Sequence, residues 1–359
     1  MPALRNSVEA LVQVIHRYFI WATIGAYVLA AIAPNLGLWI RNIELGSITL
    51  LQNQVVLSVP LLLLAALLFN AGLGVKVREL RQLLQQPFVL VSGLLGNLAT
   101  PLVCILGFSL ALQFWYESEE VQQILVGLAL VAAMPIAGAS PAWAQNANGN
   151  LALSLGLVLL TTALSPLFTP MVLHVVGFVT IDDYSEDLHE LASNGAVAFL
   201  GIWVILPAVL GILTQWVLGE RRLATAKPYV KLLNYGVLVS LTYSNAALAL
   251  PKAFSNPDID FLVIIAVISF ILCLAAFGSG YLLSRVFRTD RSDRVSLMFG
   301  LGMNNNGAGL VLASMALGDH PEVMLPIIFY NLVQHLMAAS VDRIMFQQAQ
   351  QMEATRVGT

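Results

Sequence analysis

The sequence predicts an all-α polytopic membrane protein, ten transmembrane helices in two inverted five-helix repeats, on three observations. Apolar residues make up 58% of the 359 and charged ones only 10%, and mean hydropathy is +0.81; a soluble fold cannot hide that much apolar surface. Lysines and arginines gather in alternate connections. The third observation is a stretch inside an apolar run, Gly300-Leu301-Gly302-Met303-Asn304-Asn305-Asn306-Gly307-Ala308-Gly309. Successive side chains on an unbroken helix point about 100° apart, so at least one of Asn304, Asn305 and Asn306 would face lipid. The glycines at 300, 302, 307 and 309 make a break in the helix cheap, and unwound backbone can gather amides and bare carbonyls into one polar cavity.

The spans are expected at 18–39, 54–73, 88–114, 121–148, 150–179, 194–218, 229–250, 261–287, 295–317 and 323–346. The first follows Arg5 and Arg17; it ends in Ala31-Ile32-Ala33, which resembles a signal-peptide cleavage site but reads as uncleaved, because removal would spoil the repeat. The second runs up to Lys76, Arg78 and Arg81. The third carries Pro101 beside Asn97 and Thr100 and meets Glu117, Glu119 and Glu120. The fourth is interrupted by Pro135-Ile136-Ala137-Gly138-Ala139-Ser140-Pro141. The fifth holds Pro166 and Pro170 with Ser165 and Thr169, which read as packing partners for carbonyls that proline frees. An acidic connection, 182–190, precedes the sixth. The seventh contains Tyr243-Ser244-Asn245, and the eighth ends among Arg285, Arg288, Arg291 and Arg294. The ninth is the asparagine stretch. The tenth presents Asn331, Gln334 and His335 on one face before a polar tail.

Fifteen of the 17 lysines and arginines fall on one side, against Arg41 and Lys252 on the other. That bias places both termini in the cytoplasm and makes the number of crossings even. Splitting the chain after the fifth span gives repeats at about 18–179 and 194–346 within a single membrane domain, 1–359. An odd number of spans per half inverts the second half, and in each half the fourth span is the broken one. Matched interruptions in inverted halves point to the binding site of a secondary transporter, where half-helix ends offer N–H groups to anions and carbonyls to cations.

No Asp, Glu, Lys or Arg falls in the middle of a span, and among the candidate residues only His335 titrates there. A hydrolase or redox enzyme would need an activated nucleophile or a ligand set, so the sequence argues against an enzyme. Cys104 and Cys273 lie in apolar runs and suggest no disulfide or metal pair. The acidic outer loops read as solvated surface, and a net charge of -3 carries no signal for nucleic acid. The candidate substrate site is Asn304, Asn305, Asn306, Ser140, Asn245 and His335. Gln145, Asn146, Asn148 and Asn150 read equally as polar lining or as a turn.

These features resemble the bile acid:sodium symporter family across nearly the whole chain. The residues that carry the resemblance are Leu68-Phe69-Asn70-Ala71-Gly72-Leu73 followed by Lys76; Gly149-Asn150-Leu151-Ala152-Leu153-Ser154 continuing to Leu164-Ser165-Pro166-Leu167-Phe168-Thr169-Pro170; and Gly302-Met303-Asn304-Asn305-Asn306-Gly307. The resemblance implies a sodium-coupled importer of organic anions such as bile acids, keto acids or pantothenate. It implies a core unit of spans 3–5 and 8–10 moving against a panel unit of spans 1, 2, 6 and 7, with broken helices 4 and 9 crossing. Candidate sodium ligands carried over are Ser140, Ser154, Met303 and Asn304. The chain departs from the family at Gly300, where an acidic ligand stands, and at Pro141, Val158 and Gly96. The sequence therefore predicts alternating-access transport of a small organic anion across the cytoplasmic membrane, with Na+ as the coupling ion and no cofactor. A sodium-independent transporter on the same fold and, more remotely, a non-transporting sensor stay open.

Overall fold

The computed structural model describes residues 2–50, 53–75, 87–255 and 257–357. Lys76, Arg78 and Arg81, used in the charge count, lie outside the described residues.

The chain is mostly helical. Helix α1 (Pro2–Ile32) meets α2 (Asn35–Arg41) at Ala33-Pro34, bending by 97°, because a residue preceding proline is pushed out of the helical region. The Tyr243 hydroxyl donates to the freed Ala33 carbonyl at 2.5 Å. The expected second span begins later than the sequence suggested. Strands β1 (Glu44–Leu50) and β2 (Asn53–Ser58) form an antiparallel hairpin, bulged near Gly46, whose φ is 127°. Helix α3 (Val59–Leu73) starts only where Pro60 presets its first turn. The β-branched Val55 and Val56 belong to the hairpin.

Helix α4 (Pro87–Leu112) precedes α5 (Ser118–Ala133), a break, α6 (Ser140–Asn146) and α7 (Leu151–Gly177). Asn150 caps α7 by accepting from Leu153 N at 3.1 Å, and Asn148 takes a left-handed φ of 56°. The asparagines at 148 and 150 thus form the turn, one of the two roles open to them. Ser165 answers Pro166 as expected, its hydroxyl donating at 2.8 Å to the Thr162 carbonyl that proline cannot reach. Helix α8 (Asp182–Glu190) leads through π and α turns, Leu191–Gly195, Ala196–Phe199 and Leu200–Ile205, into α9 (Leu206–Ser255), which is kinked at Gly219 with φ 75°. Helices α10 (Ile259–Val286), α11 (Arg291–Gly302), α12 (Asn306–Ala316) and α13 (Met324–Val357) complete the order.

Among the described residues, five helices are long and apolar enough to cross a membrane, and the bent α1–α2 pair makes a sixth. That fits a multi-pass membrane protein. Shorter apolar helices, Val59–Leu73 and Asn306–Ala316, accompany them.

The second break is shorter than the glycine spacing suggested: only residues 303–305 leave the helix, while Gly300 and Gly302 end α11 and Gly307 and Gly309 begin α12. Gly300 and Gly302 serve packing. A Cβ on Gly302 would lie 2.3 Å from the Phe277 ring, and one on Gly300 would lie 2.9 Å from the Leu157 side chain. The first break likewise spans 134–139, and Ser140 and Pro141 open α6.

Candidate functional site at the crossing of two broken helices

The two breaks meet. Ile136 and Asn304 pair as an antiparallel bridge, with Ala137 N donating to the Met303 carbonyl at 2.8 Å and Asn305 N to the Pro135 carbonyl at 2.9 Å. Each unwound segment thereby satisfies backbone groups that the other has lost, which buried irregular backbone requires.

Both ends of the Asn304 carboxamide are bonded. Its Nδ2 donates to the Val131 carbonyl at 2.9 Å and its Oδ1 accepts from Asn97 Nδ2 at 3.2 Å. Gln334, buried on α13, accepts from Asn304 N at 2.9 Å and donates to its carbonyl at 3.3 Å. Asn306 Nδ2 reaches Gln334 Oε1 at 3.1 Å. The sequence marked Gln334 only as part of a polar stripe; the i, i+3, i+4 spacing was the signal that could have put it in the site. Asn305 caps α12, its Oδ1 accepting from Ala308 N at 3.2 Å. His335 Nδ1 lies 2.7 Å from the Asn331 carbonyl, and Asn331 Nδ2 donates to Tyr27 on α1 at 2.8 Å.

Several buried polar atoms here have no protein partner: Ser140 Oγ, Ser154 Oγ, Asn306 Oδ1 and both carboxamide atoms of Asn245. Asn245 is 0% exposed and lies one helical turn beyond Leu241, which abuts the position of Gly307 at the start of α12. An amide left without a partner costs about 1–3 kcal/mol, which singles out Asn245 as a candidate site residue.

The surroundings of Gly300 are hydrocarbon. Val89, Ile136, Leu153, Leu157, Leu297 and Leu301 form a closed apolar cluster with Val158 against it, and a Cβ on Gly96 would meet Leu283 and Leu301. Ser140 and Ser154 offer oxygens without partners, whereas Gly300, Pro141 and Val158 add no side-chain oxygen. Met303 is wholly buried. As a ligand set for sodium these residues fit poorly, because a bare cation needs several converging oxygens to offset its lost hydration.

The turn before α7 is clamped to α11: Asn150 Nδ2 donates to Asp293 Oδ1 at 2.7 Å, Asn150 N to the Ser292 carbonyl at 3.0 Å, and Ser296 Oγ to the Asn150 carbonyl at 2.7 Å. On the opposite side of the molecule Glu117, Glu119, Glu120, Asp258 and Glu322 line a cavity of about 310 Å³ with Lys252. Glu120 is turned inward onto Trp115 Nε1 at 2.6 Å, so this acidic surface is only partly solvated.

Residues 61–285 match the profile of the Sodium Bile acid symporter family. A Bacillus subtilis protein named "Uncharacterized protein YbaS" is 25% identical over 77% of this chain and 84% of its own length. The "Uncharacterized sodium-dependent transporter YocS" of the same species is 21% identical over 70% of this chain and 72% of its own. The "Probable sodium/metabolite cotransporter BASS2, chloroplastic" of Oryza sativa subsp. japonica is 22% identical over 91% of this chain and 69% of its own.

Proposed function

The chain belongs to the Sodium Bile acid symporter family, and on that premise we propose a secondary active transporter that moves a small organic anion across the cytoplasmic membrane by alternating access, with sodium as the coupling ion. Family membership makes it a multi-pass membrane transporter rather than an enzyme. The observation that carries the finer reading is the pairing of the two breaks through Ile136 and Asn304. Crossed half-helices leave ends in the interior that recognise charge without a basic side chain.

On this reading the chain crosses the membrane ten times, by α1 with α2, α3, α4, α5 with α6, α7, the helical run to Gly219, the rest of α9, α10, α11 with α12, and α13. The packing of α1, α2 and α3 on α9 supports a panel unit separate from a core around the crossing. In this reading Asn305, Asn306, Asn245 and His335 meet the substrate where core and panel face each other, and Ser140 reaches it from the start of α6. Asn304 acts by holding the crossing in shape. Both termini lie in the cytoplasm.

The apolar cluster at Gly300 favours a second reading, transport without sodium. A thermal-shift screen of keto acids, pantothenate and bile acids, followed by proteoliposome uptake of the stabilising compound, tests the first. Uptake no greater than in empty vesicles overturns it. Replacing external sodium by choline separates the two: uptake falls if sodium is coupled and persists if it is not.

A further inference from the structure

Helix α10 ends among arginines, and Arg294 of α11 leans back across it. Gly280 makes this possible, because α10 and α11 touch there: a Cβ on Gly280 would lie 2.5 Å from the Leu297 carbonyl oxygen. One turn nearer the arginines, the Arg294 guanidinium lies 5.6 Å from the centre of the Tyr281 ring. Its Nε donates to Ser284 Oγ at 3.1 Å, a hydroxyl fixed by its own donation to the Tyr281 carbonyl at 2.6 Å. Stacking and one hydrogen bond orient the group without neutralising it. Among the described residues no carboxylate pairs with Arg294, and its two terminal nitrogens, left without a protein partner, reach the surface. The nearby carboxylates are occupied. Asp290 caps α11, accepting from Asp293 N at 2.8 Å and Ser292 Oγ at 3.1 Å, and buried Asp293 accepts from Asn150 Nδ2 at 2.7 Å. Arg285 stays exposed, one turn beyond Tyr281 on the same face of α10.

We propose that this fork is a headgroup site for an anionic phospholipid, whose phosphodiester takes paired hydrogen bonds from the Arg294 terminal nitrogens and a second charge from Arg285. A planar guanidinium held still suits a phosphate at two points. The apolar surface beside it supplies the rest of the lipid's surroundings. Tyr281 is 42% exposed, Leu274, Leu282 and Val286 are exposed as well, and Gly278 has nothing within 4 Å of where a Cβ would stand. Leu274, Gly278 and Tyr281 follow at helical spacing, an open strip leading away from the guanidinium along the path of an acyl chain. A charged fork at the head of such a strip fits a lipid better than a free anion. Charge then decides the headgroup. Residues 284–294 hold four arginines and two aspartates, a net charge of +2, so a zwitterionic lipid would bring its cationic end to a positive surface and an anionic one would not. A lipid bound here braces the end of α11 opposite the crossing.

The site lies apart from the crossing, and its test needs no transport. Thermal unfolding of the purified full chain is measured in detergent micelles as phosphatidylglycerol, or phosphatidylcholine with the same acyl chains, is added. Phosphatidylglycerol is expected to raise the midpoint in a saturable way and phosphatidylcholine is not. Arg294→Gln and Arg285→Gln should each raise the half-saturating lipid fraction about fivefold, the contribution of one basic residue at an anionic headgroup. Arg222→Gln, which removes an exposed arginine from α9, should keep the wild-type response. Arg294→Lys keeps the charge and loses the fork, so it should respond more weakly than wild type. If Arg294→Gln fails to fold, Arg285→Gln carries the same expectation. An equal response to the two lipids would overturn the site. So would an equal loss in Arg222→Gln or a wild-type response in Arg294→Lys, since either would mean diffuse charge rather than a built fork. Glycerol phosphate in solution at the same phosphate concentration should leave the midpoint unmoved. A shift as large as the lipid's would mean that a free anion occupies the fork and would overturn the proposal.

Discussion

Asn304 and Gln334 hold each other reciprocally: the Gln334 carboxamide accepts from the Asn304 N–H at 2.9 Å and donates to the Asn304 carbonyl at 3.3 Å. One side chain on α13 thus does for unwound backbone what a neighbouring strand does in a sheet, and it takes Asn306 Nδ2 as well.

Gln334→Leu should therefore destabilise the protein by at least about 2 kcal/mol, since it leaves buried main-chain groups unpaired. Thermal unfolding of the purified variant measures the cost. Equal stability of Gln334→Leu and wild type would show that the crossing does not depend on this contact.

Gly300 and Gly302 separate two kinds of packing. Gly302→Ala drives a methyl against the Phe277 ring, at 2.3 Å, and Phe277 is itself set edge-on against Phe299 at 6.0 Å; the expected cost is about 1–3 kcal/mol. Gly300→Ala meets only the end of a leucine side chain and should cost less. Gly300→Glu places a carboxylate among Leu157, Ile136 and their neighbours, and should unfold or strongly destabilise the chain rather than create a sodium site. Unfolding midpoints of the three variants rank the effects, and a stable Gly300→Glu that gains a sodium response would reverse this assignment.

The two breaks were legible because proline at 135 and three adjacent amides at 304–306 cannot sit in an unbroken lipid-facing helix. Their extent was not. Glycine in a sequence signals permission, and at 300 and 302 that permission is used for close approach of Leu157 and Phe277, facts of tertiary packing that no local pattern records. The hairpin before α3 was hidden because Val-Val-Leu reads as well in a span as in a strand, and only the contact with β1 decides it. Gln334 was visible as one of a stripe, but its partners lie 30 residues away at Asn304.

Glu120 stands in the first turn of α5, ahead of the predicted span. Burial raises its pKa above the usual carboxylate range, opposed by the bond from Trp115 and reinforced by Asp258 and Glu117. A carboxyl whose folded value is raised favours the folded state when protonated; that stability is complete below the unfolded value, about 4.3, and is lost as pH rises through the folded value. Glu120→Gln should thus be more stable than wild type at neutral pH, with the difference shrinking on acidification. Unfolding midpoints between pH 4 and pH 8 check the sign, and a variant less stable than wild type at neutral pH would contradict it.

Arg41 and Lys252, the two cations proposed to face the outer side, tie α2 to α12 and the end of α9 to the turn before α13. The Arg41 guanidinium donates to the Ser314 carbonyl in the last turn of α12, where the helix leaves carbonyls unpaired and its dipole favours a cation. The Lys252 ammonium pairs with Glu322 just ahead of α13. An exposed ion pair contributes roughly 0–1 kcal/mol, so these contacts should matter less for stability than for which side of the seam is shut. If core and panel move as proposed, Arg41→Gln with Lys252→Gln should favour the outward-open form. A cysteine at Val311, buried on α12 between Gly307 and Ser314, reports this in a Cys104→Ala, Cys273→Ala background. External membrane-impermeant maleimide should label Val311→Cys slowly with the ties intact and several-fold faster without them. Lys252→Glu combined with Glu322→Lys should restore the slow rate. Labelling that is unchanged in folded protein would mean that these ties do not close the outer side.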